Sequence, residues 1–278
     1  MPSYETPEPI SATLEFDIGD VRITASKRRD TVVEVLPSDG SDETDVRAAQ
    51  QTKVMYSGGT LTIKGPKKRS LFGKSGSIDV SVELPAGSQI QGTSPMADFI
   101  CAGPLGDCRL KTSLGDIRLE EAETVNLRTD HGDIRVDRTN GNAEIHGAGR
   151  IDIGEITGTA TVKNGNGETT IGETTGDLKV NSAYGRISVG VAHASVDAKS
   201  ANGAIRLGEV VRGQIQLDTA AGNVEIGIRE STAAWLDVNS RIGGVRNSLG
   251  PAEGPGGSEE TVEVRARTGV GDIVIRRS

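Results

Sequence analysis

The chain has 278 residues, a formal charge of −8 and only 3% aromatic residues. So few aromatic faces exclude a sugar-stacking or base-stacking platform, and the acidic balance removes the phosphate neutralisation on which nucleic-acid affinity rests, so no nucleic acid is expected as a partner. An apolar share of 35% suits the narrow core of one elongated repeat domain, expected over residues 10–278.

Residues 1–9 are proline-rich and polar and are expected to form a disordered tail. They contain no apolar run of the secretory kind, and no stretch approaches the roughly 20 apolar residues of a membrane helix, so the expected location is cytoplasmic. Residues 10–100 read as degenerate N-terminal rungs and a cap. Leu14, Phe16, Val21 and Ile23 surround Gly19, and Val54, Tyr56, Leu61 and Ile63 surround Gly59 in the same manner. Between them Asp42–Gln51 predicts one short polar helix, placed to plug or flank the end of the stack, where an unpaired rung would offer strand edges to other chains.

The segment Lys64–Lys74 (KGPKKRSLFGK) departs from the pattern. Its Lys67, Lys68, Arg69 and Lys74 stand beside Leu71 and Phe72, a basic loop with an apolar tip. It is the candidate partner-binding loop, suited to an acidic protein, an anionic membrane surface or a nucleic acid; the alternative is a solvated loop whose two apolar residues fold back. A strand follows at Ile78, Val80, Val82 and Leu84. Cys101 and Cys108 are the only cysteines, too few for a disulfide scaffold, and are expected as unpaired reduced thiols.

From residue 101 onward the rungs become regular. Anchor glycines stand at Gly115, Gly132, Gly149, Gly167, Gly185, Gly203, Gly222, Gly243 and Gly271, a short period that marks a stacked-repeat architecture. Five residues before the anchor come Leu110, Leu127, Val162, Val180, Ala198, Leu217, Val238 and Ala266. Three before it stand Thr112, Thr129, Asn164, Ser182, Ser200, Thr219, Ser240 and Thr268, a small polar column able to hydrogen-bond along the stack. Isoleucine or valine recurs two residues after the anchor, with Thr169 the polar exception, and Leu, Val or Ile four after it. Each half-repeat alternates with period 2, the mark of a strand with one buried face. At Gly149 the step is broken, because Ile145 precedes it by four residues, and a shorter connector is expected there. Gly250–Ser258 (GPAEGPGGS) reads as a flexible insertion before the last rung.

Two architectures fit this pattern. In a parallel β-solenoid each repeat is one coil stacked about 4.8 Å from the next; in an antiparallel meander or prism each glycine triplet closes a hairpin. The near-constant period and the polar column favour the solenoid, and the glycines are expected to supply positive φ at tight turns. Alternating charges such as Asp116, Arg118, Asp133 and Arg135 read as a solvated face.

No catalytic, cofactor-binding or metal-binding constellation is apparent. His131, His146 and His193 lack ligand spacing. The G-D pairs resemble calcium-binding β-rolls only in part, because Arg150, Glu168, Arg186, Ala204 and Asn223 replace the aspartate,.

The rungs GDIRLEEAE, GDIRVDRTN and GDIVIRRS, with the segment SIDVSVELPAGSQI, resemble the bacterial "putative adhesin" β-strand-repeat family, also called toastrack domains. The resemblance covers most of the chain from about residue 10. It implies a β-solenoid without catalytic residues to carry over, found in actinobacteria and Firmicutes and linked in places to envelope-stress signalling. The function expected is a non-enzymatic scaffold or protein-interaction module with a protein partner. Its alternatives are a self-associating, bactofilin-like polymer and a secreted adhesin.

Overall fold

The period-2 alternation becomes strands with one buried face, and these strands stack in parallel. The computed structural model describes residues 2–66, 75–250 and 260–278, and the chain divides into two units, Met1–Asn140 and Gly141–Ser278. The first holds β1 (Ser3–Glu5), β2 (Ser11–Glu15), β3 (Ile18–Ser26), β4 (Asp30–Pro37), α1 (Glu43–Gln51), β5 (Lys53–Ser57), β6 (Thr60–Lys64), β7 (Ser77–Pro85), β8 (Gln89–Leu114), β9 (Ile117–His131) and β10 (Ile134–Thr139). The second holds β11 (Ala143–Gly147), β12 (Ile151–Ile156), β13 (Ala160–Asn166), β14 (Thr169–Thr174), β15 (Leu178–Tyr184), β16 (Ile187–Ala192), β17 (Val196–Asn202), β18 (Ile205–Val210), β19 (Gly213–Ala221), β20 (Val224–Ile228), β21 (Thr232–Ile242), β22 (Val245–Asn247), β23 (Glu260–Val270) and β24 (Ile273–Arg277).

In the second unit the residues of successive strands face their equivalents one repeat away, as Val162 faces Val180 and Val180 faces Ala198. This is the parallel β-solenoid, and the hairpin meander is excluded for the repeats. The inward columns are buried as the spacing predicts: Ile151, Ile171, Ile187, Ile205, Val224 and Ile273 are wholly inaccessible. Burying each such side chain contributes about 2 kcal/mol. Thr169, the polar exception, is also wholly buried, and its Oγ1 accepts from Asn164 Nδ2 at 3.1 Å within the core.

The break at Gly149 sits elsewhere than the spacing suggested. Ile145 faces Val162 and Gly147 faces Asn164, while Ile151 faces Thr169. The missing residue therefore lies in the corner between Gly147 and Gly149, where Ala148 stands against two residues of the next rung. The connector after it keeps its length, since Ile156 precedes Ala160 as Thr174 precedes Leu178.

The first unit is parallel at its centre and antiparallel at its margin. β8 pairs in parallel with β2, then β3, then β9. Gly19 is the centre of a true rung, with Leu14, Phe16, Val21 and Ile23 all buried. The segment around Gly59 is not a rung: β5 and β6 form an antiparallel hairpin through Gly58 and Gly59, whose φ values are 55° and 75°. Leu61 and Ile63 enter the core while Val54 and Tyr56 stay half-buried, so a glycine turn flanked by apolar residues is met equally by a hairpin and a coil.

The helix forms as predicted, with Asp42 as its N-cap accepting from the Thr44 N–H at 2.7 Å,. It packs on β4 and β7, and Asp45 holds it there by accepting the Ser77 N–H at 2.8 Å. Within the proline-rich first nine residues, β1 lies antiparallel on β4 and the Thr6 hydroxyl meets that of Thr31 at 2.8 Å. The backbone pairing that a strand offers outweighs the local polarity of the segment,.

Candidate functional site

Each corner of the coil is built by stacking rather than by chain reversal, and this changes the reason for its glycines. Gly185 has φ +117°, but Gly203 has an ordinary φ, and a Cβ on either would stand 1.9–2.0 Å from the carbonyl oxygen of the anchor glycine one rung away. Clearance between rungs is the common requirement. The polar column ties these corners together: Thr129 donates to the Gly115 carbonyl at 2.9 Å, Thr219 to that of Gly203 at 3.0 Å and Thr268 to that of Gly222 at 2.9 Å.

The aspartate after the glycine performs a related task. Asp98 accepts the Asp116 N–H at 2.8 Å, Asp116 accepts that of Asp133 at 2.9 Å, and in the second unit Asn223 accepts that of Asp272 at 2.9 Å. What reads in sequence as a solvated charge is thus, at Asp116, half of a side chain–backbone ladder, while Arg118, Asp133 and Arg135 stand exposed. In the first unit the ladder sets Asp79, Asp20 and Asp98 side by side. Partial burial, then the charges of Asp98 and Asp79, raise the Asp20 carboxyl above the usual range.

A second glycine column escaped the sequence reading. Gly154, Gly172, Gly190, Gly208 and Gly227 stand five residues after their anchors, and a Cβ on Gly190 would lie 2.3 Å from the Gly172 carbonyl oxygen. Its signal is present in the sequence, since the spacing repeats as faithfully as that of the anchors.

The outer face of the second unit carries a shallow groove of about 680 Å³ across β15, β17, β19, β23 and β21. Its floor is Ala201, Ala220 and Gly269, and its walls include Lys199, Asp218 and Arg267. The register of Ser200 with Thr219, and of Thr219 with Thr268, puts these small residues in one file. This groove lines up cations and one carboxylate along a floor without side-chain bulk, which suits an extended polar chain lying across the strands.

The candidate loop residues Lys67, Lys68, Arg69, Leu71, Phe72 and Lys74 lie outside the described residues, as does most of the Gly250–Ser258 insertion. The histidines are dispersed: His131 is exposed, His146 lies 3.3 Å from Glu144, and His193 lies 2.8 Å from Glu173. Among the described residues no group of three or more His, Cys, Asp or Glu side chains is placed to hold a metal ion, and no helix is long and apolar enough to cross a membrane. Cys101 and Cys108 are free, buried and in mutual hydrogen-bond contact, and that contact together with burial holds the Cys108 thiol well above its usual range.

Two solved structures are similar along nearly their whole length. A "putative cell adhesion protein" from Clostridium sporogenes ATCC 15579 is 13% identical, with 100% of this chain and 98% of that chain covered and a TM-score of 0.23. A "putative adhesin" from Bacteroides fragilis NCTC 9343 is 13% identical, with 99% and 95% covered and a TM-score of 0.36. No protein of curated function is significantly similar. Residues 11–278 match the family described as Toastrack DUF4097, and the chain, with its stacked glycine corners and parallel rungs, belongs to the toastrack family.

Proposed function

We propose that this protein is a non-enzymatic interaction module whose regular outer faces hold a protein partner. The observation that carries this reading is the groove on the second unit, where the file of Ala201, Ala220 and Gly269 leaves room beside Lys199, Asp218 and Arg267. A strip of this kind recognises an extended segment through its backbone and alternating charges. Two carboxyls with lowered titration have cationic partners that account for it: Glu209 is lowered first by its hydrogen bond to Arg229, and Asp30 by its hydrogen bond to Arg28. The Glu209–Arg229 pair serves as a strut between rungs, and Arg28–Asp30 ties one short segment to itself.

The test is affinity capture from the native host by the full chain at near-physiological salt, compared with Ala201→Tyr, which fills the exposed floor without entering the core. A discrete partner held by the wild type and lost by the variant supports the reading. Equal retention by both overturns the groove as its basis.

A further inference from the structure

The outermost rung of the second unit is not its last in sequence. β23 lies between β19 and β21, and β24 between β20 and β22, so the final segment of the chain is inserted one layer inside the end. β21 is an 11-residue strand with β23 on one side and, among the described residues, no strand on the other. Its inward Leu236 and Val238 are only half-buried, whereas their register mates Val264 and Ala266 are wholly inaccessible. Large apolar side chains gather here: Trp235 is 79% exposed, Ile242 61%, Val270 48% and Val245 46%. What this layer lacks is another layer.

The open edge also has a defined polarity. The Ile242 carbonyl accepts from the Gly271 N–H at 2.9 Å and so faces the β23 side. Since backbone groups of successive residues point to opposite sides of a strand, Trp235, Asp237, Asn239 and Arg241 turn their N–H and C=O outward. A long edge of this kind, without proline or an inward charge, is a template for a further strand.

We propose that β21 pairs with the β21 of a second copy of this chain, antiparallel, about a two-fold axis at Val238. This deepens the interaction-module reading by naming a partner, but it rests on the open edge of β21 and not on the floor of the groove, to which β21 lends only Asn239 and Arg241. A two-fold contact requires a self-complementary strand, and this register supplies one. It sets Trp235 opposite Arg241 of the second copy, a cation over an indole face, and Asp237 opposite Asn239. A register centred on Asp237 would instead oppose two carboxylates. Both favourable pairs fall on outward-turned residues, which exchange two backbone hydrogen bonds per pair, while Val238 meets its copy within the continued core. The strands at the margin of the first unit offer no comparable match, since β1 and β5 have 3 and 5 residues.

The test is light scattering of the full chain from about 1 to about 100 μM, with emission from Trp235, the only tryptophan. A dimer mass that appears with concentration, accompanied by a blue shift, is expected. Asn239→Pro removes an N–H aimed at the open side and leaves the β23 ladder intact; Val238→Lys places like charges on the axis but reaches solvent in a monomer. Each is expected to weaken the dimer at least about tenfold with unchanged far-UV circular dichroism. A monomer throughout, a dimer untouched by both substitutions, or masses that grow past two copies overturns the inference. A monomer that still captures a partner through the groove overturns this inference alone.

Discussion

Replacing Gly185 by alanine isolates the force that shapes the corner. Its φ of +117° is one that L-residues rarely adopt, at a cost of about 1–3 kcal/mol. The new Cβ would stand 2.0 Å from the Gly167 carbonyl oxygen, about 1 Å inside the closest approach such atoms make, so the two rungs must part locally. Parting them strains the Thr169 N–H bond to the Arg186 carbonyl, which joins these two rungs and is 2.9 Å long, worth about 1 kcal/mol. Together these give a loss of about 3–5 kcal/mol. Gly40→Ala is the control: nothing lies within 4 Å of its Cβ, and a change within about 0.5 kcal/mol is expected. Urea unfolding followed by circular dichroism reads both, with amide exchange to show whether the loss centres on the rungs of Gly167 and Gly185. A Gly185→Ala protein within about 1 kcal/mol of the wild type would refute the claim that inter-rung clearance fixes these glycines.

The polar column offers a paired test in the same assay. Thr219→Val removes the bond to the Gly203 carbonyl and should cost about 1–2 kcal/mol, whereas Ser200→Ala removes a buried hydroxyl with no partner and should be neutral or stabilising; equal losses would contradict the ladder. Asp20 gives a pH dependence. Its folded-state carboxyl is raised by burial and by Asp98 and Asp79, so the folded state holds the proton more tightly than the unfolded one, and stability is lost as pH rises through that raised value. Asp20→Asn should therefore raise the melting temperature at pH 7, by the equivalent of about 0.5 kcal/mol after solvent screening, with the gain vanishing in acid; a gain that persists undiminished in acid would sink the electrostatic account. Finally, the buried thiols of Cys101 and Cys108 should resist alkylation in the folded protein and react once urea unfolds it, because the thiolate is the nucleophile and the fold disfavours it at Cys108,. Fast native labelling by mass spectrometry would contradict this.

The sequence alone determined the rung. Period-2 alternation, the apolar columns and the polar column are local facts, because a strand's two faces are set by its own residues and the stacking of like on like follows from a constant period. It also placed α1 as one short polar helix and marked the N-terminal rung of Gly19. Tertiary structure decided the order and ends of the stack. Rungs with the same columns can sit on any neighbour, so nothing in Val238 or Ala266 says that β23 slips inside β21. The same degeneracy let Gly59 close a hairpin where Gly19 centres a coil. Stacking likewise gave the anchor glycines and the aspartates after them their reasons, since a carbonyl 2 Å from an absent Cβ and an N–H one rung away exist only once the neighbouring coil is in place.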